Sequence, residues 1–145
     1  MATDVKKLVS DCIASWDSRD PDKILSFFTE DGDWTRPEGV FRGKEELKRY
    51  FDVTLSNIKN LKLTVCGNGI ITEGNNAYNE LMVTGIYMGK KVEFLEIDAS
   101  ECSDGKIKHI RSEYDRLSIA KQAAKGWLAK MMVNSMIKQT ERGLH

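Results

Sequence analysis

Apolar positions recur every three or four residues in the first third of the chain and every second residue in its middle. Val5, Leu8, Val9, Cys12, Ile13 and Trp16 form one stripe, which predicts a helix capped by Thr3 and running to about Ser18. Asp20-Pro21 restarts a helix, with Asp20 as cap and Pro21 where no amide proton is needed. Ile24, Leu25, Phe27 and Phe28 are its expected buried side, and Glu30-Asp31-Gly32 its end. Asp33 to Arg36 reads as a short strand broken at Pro37-Glu38-Gly39. Val40-Phe41-Arg42 is extended, and Gly43 opens a third helix reaching about Asn57, with Leu47, Tyr50, Phe51 and Leu55 inward.

Beyond that point the period is two. Strands are expected at about 61–72, 76–88, 92–102 and 107–115. Gly74-Asn75-Asn76, Met88-Gly89-Lys90 and Asp104-Gly105 join them as hairpins. In the third of these strands Val92, Phe94, Glu96 and Asp98 share one face, and Glu93, Leu95, Ile97 and Ala99 the other. A face with acids beside Phe94 is either an exposed edge or the wall of a pocket. Helices followed by an antiparallel meander give an α+β layout.

Composition narrows the function classes. The 145 residues suit one domain. A formal net charge of +0 gives no field for nucleic acid. Cys12, Cys66 and Cys102 lack metal or disulfide spacing, and with two His no zinc site is expected. Neither a signal peptide nor a membrane span is visible, so a cytoplasmic setting is expected. The charge is uneven: from Arg116 onward the chain carries an excess of five positive charges, balanced by five negative ones before it.

The order and spacing of Trp16, Asp20-Pro21-Asp22, Phe27-Phe28-Thr29-Glu30-Asp31-Gly32, Phe41-Arg42-Gly43-Lys44-Glu45, Asp104-Gly105-Lys106-Ile107 and Tyr114-Asp115 resemble the SnoaL-like group of the nuclear-transport-factor-2-like superfamily, over roughly residues 3 to 117. The resemblance implies a cone: a curved antiparallel sheet wrapped around the N-terminal helices, with a deep pocket inside. It also implies a homodimer through the outer sheet face, where Leu95, Ile97, Met82 and Ile110 are expected. The superfamily includes ketosteroid isomerases, limonene-epoxide-hydrolase-like enzymes, polyketide cyclases and members that only bind or dimerise, so function rests on individual residues.

Compared with the isomerases, the base position falls on Arg36, which cannot accept a proton. The oxyanion-hole Tyr falls on Cys12, its supporting Tyr positions on Phe28 and Phe51, and the oxyanion-hole Asp survives as Asp98. Asp98 is then either a neutral acid in an apolar site or the ionised partner of Arg36. Compared with the epoxide hydrolases, the last Asp falls on Asp115, the Tyr and Asn positions on Trp34 and Arg36, and the Arg and first Asp on Leu81 and Val83. The polyketide cyclases use one acid on the last strand, again matched by Asp115. The comparisons disagree on whether Ser112 and Tyr114 or Glu113 and Asp115 face inward. Trp16 and Trp34 are expected as core or as walls of a flat apolar pocket.

Two readings follow. One is an enzyme without cofactor, an isomerase, cyclase or lyase for a small apolar carbonyl compound. It would use Asp98 or Asp115 as proton carrier, Arg36 to bind an oxyanion or carboxylate, and Cys12, Trp16, Phe28, Trp34, Phe51, Leu81, Val83 and Tyr114 as pocket. The other is a non-catalytic ligand-binding or dimerisation module. Residues 118–145 lie beyond the cone domain of 1–117. Ser118 can cap one helix across 119–140, Gly143 closing it. Ala120, Ala124, Trp127, Leu128 and Met131 form its stripe and lysines its other side. It is expected to dock on the acidic cone or the dimer partner. A membrane surface is its second reading.

Overall fold

The computed structural model describes residues 4–144. The first helix, α1, spans Val5–Ser15 and is capped by Asp4, whose carboxylate accepts from the Lys7 amide at 2.9 Å. Thr3, the cap expected from sequence, lies outside the described residues. A 3-10 turn, Trp16–Ser18, follows, so the helix stops earlier than its stripe suggested. The helix α2 is only Pro21–Leu25, with the Asp20 cap and Pro21 where expected. Phe28 does not belong to it. Phe28–Arg36 is the strand β1, and Glu30-Asp31-Gly32 lies inside that strand rather than ending a helix. Phe28 is 1% exposed. Its burial satisfies a strand facing the helices as well as a helix facing the sheet, and tertiary packing decides between them.

The remaining elements are β2 (Gly39–Arg42), α3 (Gly43–Asn57), β3 (Ile58–Glu73), β4 (Asn76–Tyr87), β5 (Lys90–Ser103) and β6 (Lys106–Tyr114). They form one curved six-stranded sheet in the order β2-β1-β6-β5-β4-β3. β3 to β6 are an antiparallel meander, but β1 runs parallel to β6, which makes the sheet mixed. The N-terminal helices and α3 fill its concave side. Val5, Val9, Cys12, Trp16, Ile24, Leu47 and Phe51 supply the helical half of one continuous core.

Alternation along β5 and β6 fixes what faces inward. Val92, Glu96, Asp98, Ser100 and Cys102 are buried, while Leu95 and Ile97 are 46% and 50% exposed on the outer face. Ile110 departs from the outward placement: it is 5% exposed, in the core, and in register with Trp34 of β1. Ile110 and Ser112 share parity, so the inward side of the last strand is the Ser112/Tyr114 side, and Glu113 is exposed.

The tail is two helices, α4 (Arg116–Ala123) and α5 (Gly126–Thr140). The single helix expected across this stretch breaks because Ala124 is extended (ψ 129) and Gly126 takes φ +76, a conformation only glycine adopts freely. The cap of α4 is Asp115, not Ser118. α4 lies along β5, where Gln122 exchanges hydrogen bonds with the Glu93 backbone at 2.7 and 2.8 Å, and Lys90 reaches the Ala124 carbonyl at 2.8 Å. α5 packs against α4 and has no buried side chain. Among the described residues no helix is long and apolar enough to cross a membrane.

Candidate functional site

The open end of the cone holds a cavity of about 700 Å³. Trp16, Trp34, Phe41, Leu61, Leu63, Val83 and Phe94 give it apolar walls from helix, strand and hairpin alike. One group of its polar side chains, Arg36, Glu38, Tyr50, Glu96 and Tyr114, gathers where β1 ends beside β6; Glu46, Arg49, Thr54, Asn57, Tyr87 and Arg116 add further polar groups to the lining.

Sheet register assembles this cluster. Glu96 of β5 pairs across to Tyr114 of β6 and to Leu81 of β4. Arg36 ends β1 and reaches Glu96 through two bonds, Nη1 to Oε1 at 3.2 Å and Nη2 to Oε2 at 2.7 Å. Both side chains are nearly buried, 7% and 4% exposed. The guanidinium sits among Trp34, Tyr50 and Tyr114, with its carbon 5.0, 5.3 and 5.0 Å from their ring centres. Burial opposes its charge, but Tyr50 and Glu96 beside it hold Arg36 above the ordinary arginine range. Burial pushes the Tyr50 phenol up to about 12, against the pull of Arg36, so it stays protonated. One donor of Arg36 is left over. Its Nε is buried with no hydrogen-bond partner among the described residues, and Glu38 Oε2 is 3.8 Å away.

A second polar row lies one step deeper. Asn79, Asp98 and Ser112 are consecutive partners across β4, β5 and β6. Asp98 accepts from Ser112 Oγ at 2.5 Å and from Asn79 Nδ2 at 3.1 Å, and Ser112 Oγ accepts from Trp34 Nε1 at 2.6 Å. Burial, with the Glu96 charge adding to it, pushes the Asp98 carboxyl up to about 7. Asn79 Oδ1 has no hydrogen-bond partner among the described residues. A neutral Asp98 would donate to it once the amide is turned over.

These positions sort the candidates named from sequence. Arg36, Trp16, Trp34, Val83 and Tyr114 line the cavity. Asp98 does not: it stands behind Trp34 and Ser112 and does not pair with Arg36, which takes Glu96 instead. Asp115 is also outside, an exposed cap accepting from the Leu117 and Ser118 amides at 2.9 and 3.0 Å. Cys12, Phe28, Phe51 and Leu81 are core side chains away from the cavity wall. Burial, and next the Asp98 charge, push the Cys12 thiol up. Glu96 and Glu38 were missed. The inward parity of Val92, Phe94, Glu96 and Asp98 was the signal for Glu96. Nothing in the sequence marked Glu38, because its turn is folded back by strand pairing of β1 with β2.

The family model for the SnoaL-like domain matches residues 9–110. The chain belongs to the SnoaL-like domain family. Solved structures agree on the fold. A hypothetical protein of ketosteroid isomerase-like fold from Catenulispora acidiphila, in complex with trimethylamine, is 18% identical with a TM-score of 0.75, over 84% of this chain and 94% of that one. An NTF2-like protein from Burkholderia thailandensis is 21% identical, TM-score 0.74, over 86% and 100%. A candidate polyketide cyclase from Pseudomonas putida is 18% identical, TM-score 0.76, over 86% and 100%. No curated protein matches the chain. The family match ends before Asp115, α4 and α5.

Proposed function

We propose that this SnoaL-like protein is a cofactor-free isomerase, cyclase or lyase acting on a small, largely apolar carbonyl compound. The observation that carries the reading is the buried Arg36–Glu96 pair on the wall of a largely apolar cavity, with no acceptor for Arg36 Nε among the described residues. Burying a charge pair is costly, and apolar side chains would fill the same space at less cost. A fixed cation in a water-poor site stabilises an oxygen that becomes negative during reaction. Glu96 holds the cation in place, and the rings of Trp34, Tyr50 and Tyr114 keep its faces covered. In this reading Asp98 is a positioning residue: it orients Trp34 through Ser112 and touches no ligand.

The test uses the apolar ketone 2-tetralone and its alcohol, 2-tetralol, with Trp16 and Trp34 in the cavity wall as reporters. Quenching of tryptophan emission by the ketone, persisting in a chain ended at Ala124 that lacks Trp127, is the expected result. Absence of quenching by 2-tetralone and by a set of open-chain ketones sinks the reading. Equal response to ketone and alcohol, with no turnover, favours the binding-module alternative. The proposed assembly is a homodimer through the outer sheet face, supported by exposed Leu95 and Ile97. Leu95→Lys with Ile97→Lys should give a monomer in light scattering.

A further inference from the structure

The cavity wall sets a carboxylate against the spare donor of a fixed guanidinium, and neither Asp98 nor Asp115 takes part. Glu38 lies in the turn between β1 and β2, two residues beyond Arg36. Its Oε2 is 3.8 Å from Arg36 Nε, too far for a hydrogen bond. Tyr114, on the neighbouring strand β6, donates its hydroxyl to Glu38 Oε1. The Glu38 side chain is 39% exposed, whereas Glu96 is 4% exposed and held by two bonds. Of the two carboxylates at Arg36, Glu38 is therefore the one free to exchange its partner. Its turn ends on Gly39 at φ +143, which allows a backbone path closed to other residues.

Resting on the carbonyl-compound reading above, we propose that Glu38 is the proton acceptor of this site and Arg36 Nε the donor to the developing oxyanion. A carbonyl oxygen and its own α-hydrogen are separated by a span that these two groups can bracket once a ligand enters between them. Glu38 takes the α-proton as the C–H electron pair forms the C=C bond. The carbonyl π pair moves onto oxygen, which accepts from Arg36 Nε. The neutral Glu38 then returns the proton. Delivered to another carbon of the conjugated system, it completes an isomerisation. In an aldol closure the enolate carbon first attacks a second carbonyl of the same molecule, and the proton goes to the new alkoxide. No oxidant, reductant or co-reactant is needed. Because Tyr114 donates to Glu38 Oε1, the carboxylate presents Oε2, its freer oxygen, to the ligand.

The experiment follows exchange of the α-hydrogens of 2-tetralone in deuterated buffer by NMR, with tryptophan quenching as a separate measure of binding. The full chain should accelerate exchange above the buffer rate. Glu38→Gln should lose about 100-fold or more of that acceleration, the usual size for a general base, while quenching changes less than threefold. Glu38→Asp should recover part of the rate. Exchange by Glu38→Gln at the rate of the unaltered chain overturns the assignment, as does loss of exchange only in step with loss of binding. Quenching without accelerated exchange overturns it too and leaves the carbonyl-pocket reading standing. No quenching by any ketone removes both.

Discussion

The inner face of β5 and the surface of α5 invert the usual placement of residues in opposite ways. β5 buries Glu96 and Asp98, 3% and 6% exposed. α5 leaves Trp127 at 76%, Met132 at 61% and Met136 at 56% exposed. The buried acids are tolerated because other strands bring partners to them: Arg36 from β1 to Glu96, Ser112 from β6 and Asn79 from β4 to Asp98. The apolar helix is exposed because nothing among the described residues faces that side. Burial here follows from whether a second wall exists, and the curved sheet supplies one only on its concave side.

The strongest way to break this comparison is to remove one half of the inner pair. Arg36→Ala leaves Glu96 buried and unpaired and should cost roughly 3–5 kcal/mol in urea unfolding. Arg36→Met combined with Glu96→Met should cost less than either single change. A double variant as damaged as the sum of its singles would show that the two groups are not coupled.

Asp98 gives a pH signature. Its carboxyl titrates near 7 in the folded chain, above the ordinary value of about 3.9 for an unfolded aspartate. Between those values the folded state keeps a proton that the unfolded state has released. The resulting stabilisation is complete below about pH 4 and is lost as pH rises through about 7. Asp98→Asn keeps the shape and does not titrate. It should flatten this fall, which amounts to at most on the order of 4 kcal/mol. An unchanged pH dependence in the variant would place the titration elsewhere.

Two smaller effects separate the anchored part of the tail from the free part. Asp115→Ala removes the α4 cap and should cost about 1 kcal/mol in thermal unfolding. It should also leave any turnover intact, since Asp115 lies off the cavity wall. Ending the chain at Ala124 removes α5 and should change the unfolding free energy of the remaining body by less than about 0.5 kcal/mol, since no buried side chain is lost. Binding of a hydrophobic dye should fall. A loss of several kcal/mol would mean that α5 docks on the body or on a second copy.

Much of the cone was legible along the chain, because its signals are local. The Asp20-Pro21 start, α3 from Gly43, and the four long strands with their hairpins follow from period and turn chemistry. Parity along β5 already placed Glu96 and Asp98 on one face. Three matters needed tertiary structure, because each depends on what lies opposite in space. Phe28 opens a strand instead of closing a helix, since β6 offers it a parallel partner at Ile107. Arg36 meets Glu96 and not Asp98, since the end of β1 comes level with one rung of the sheet and not the next. Asp115 became a cap when the chain left the sheet at Tyr114 and turned into α4. Sequence period determines which face a residue occupies; the bend of the sheet determines which groups on that face meet, and a carboxylate becomes a base, a pair or a cap according to that meeting.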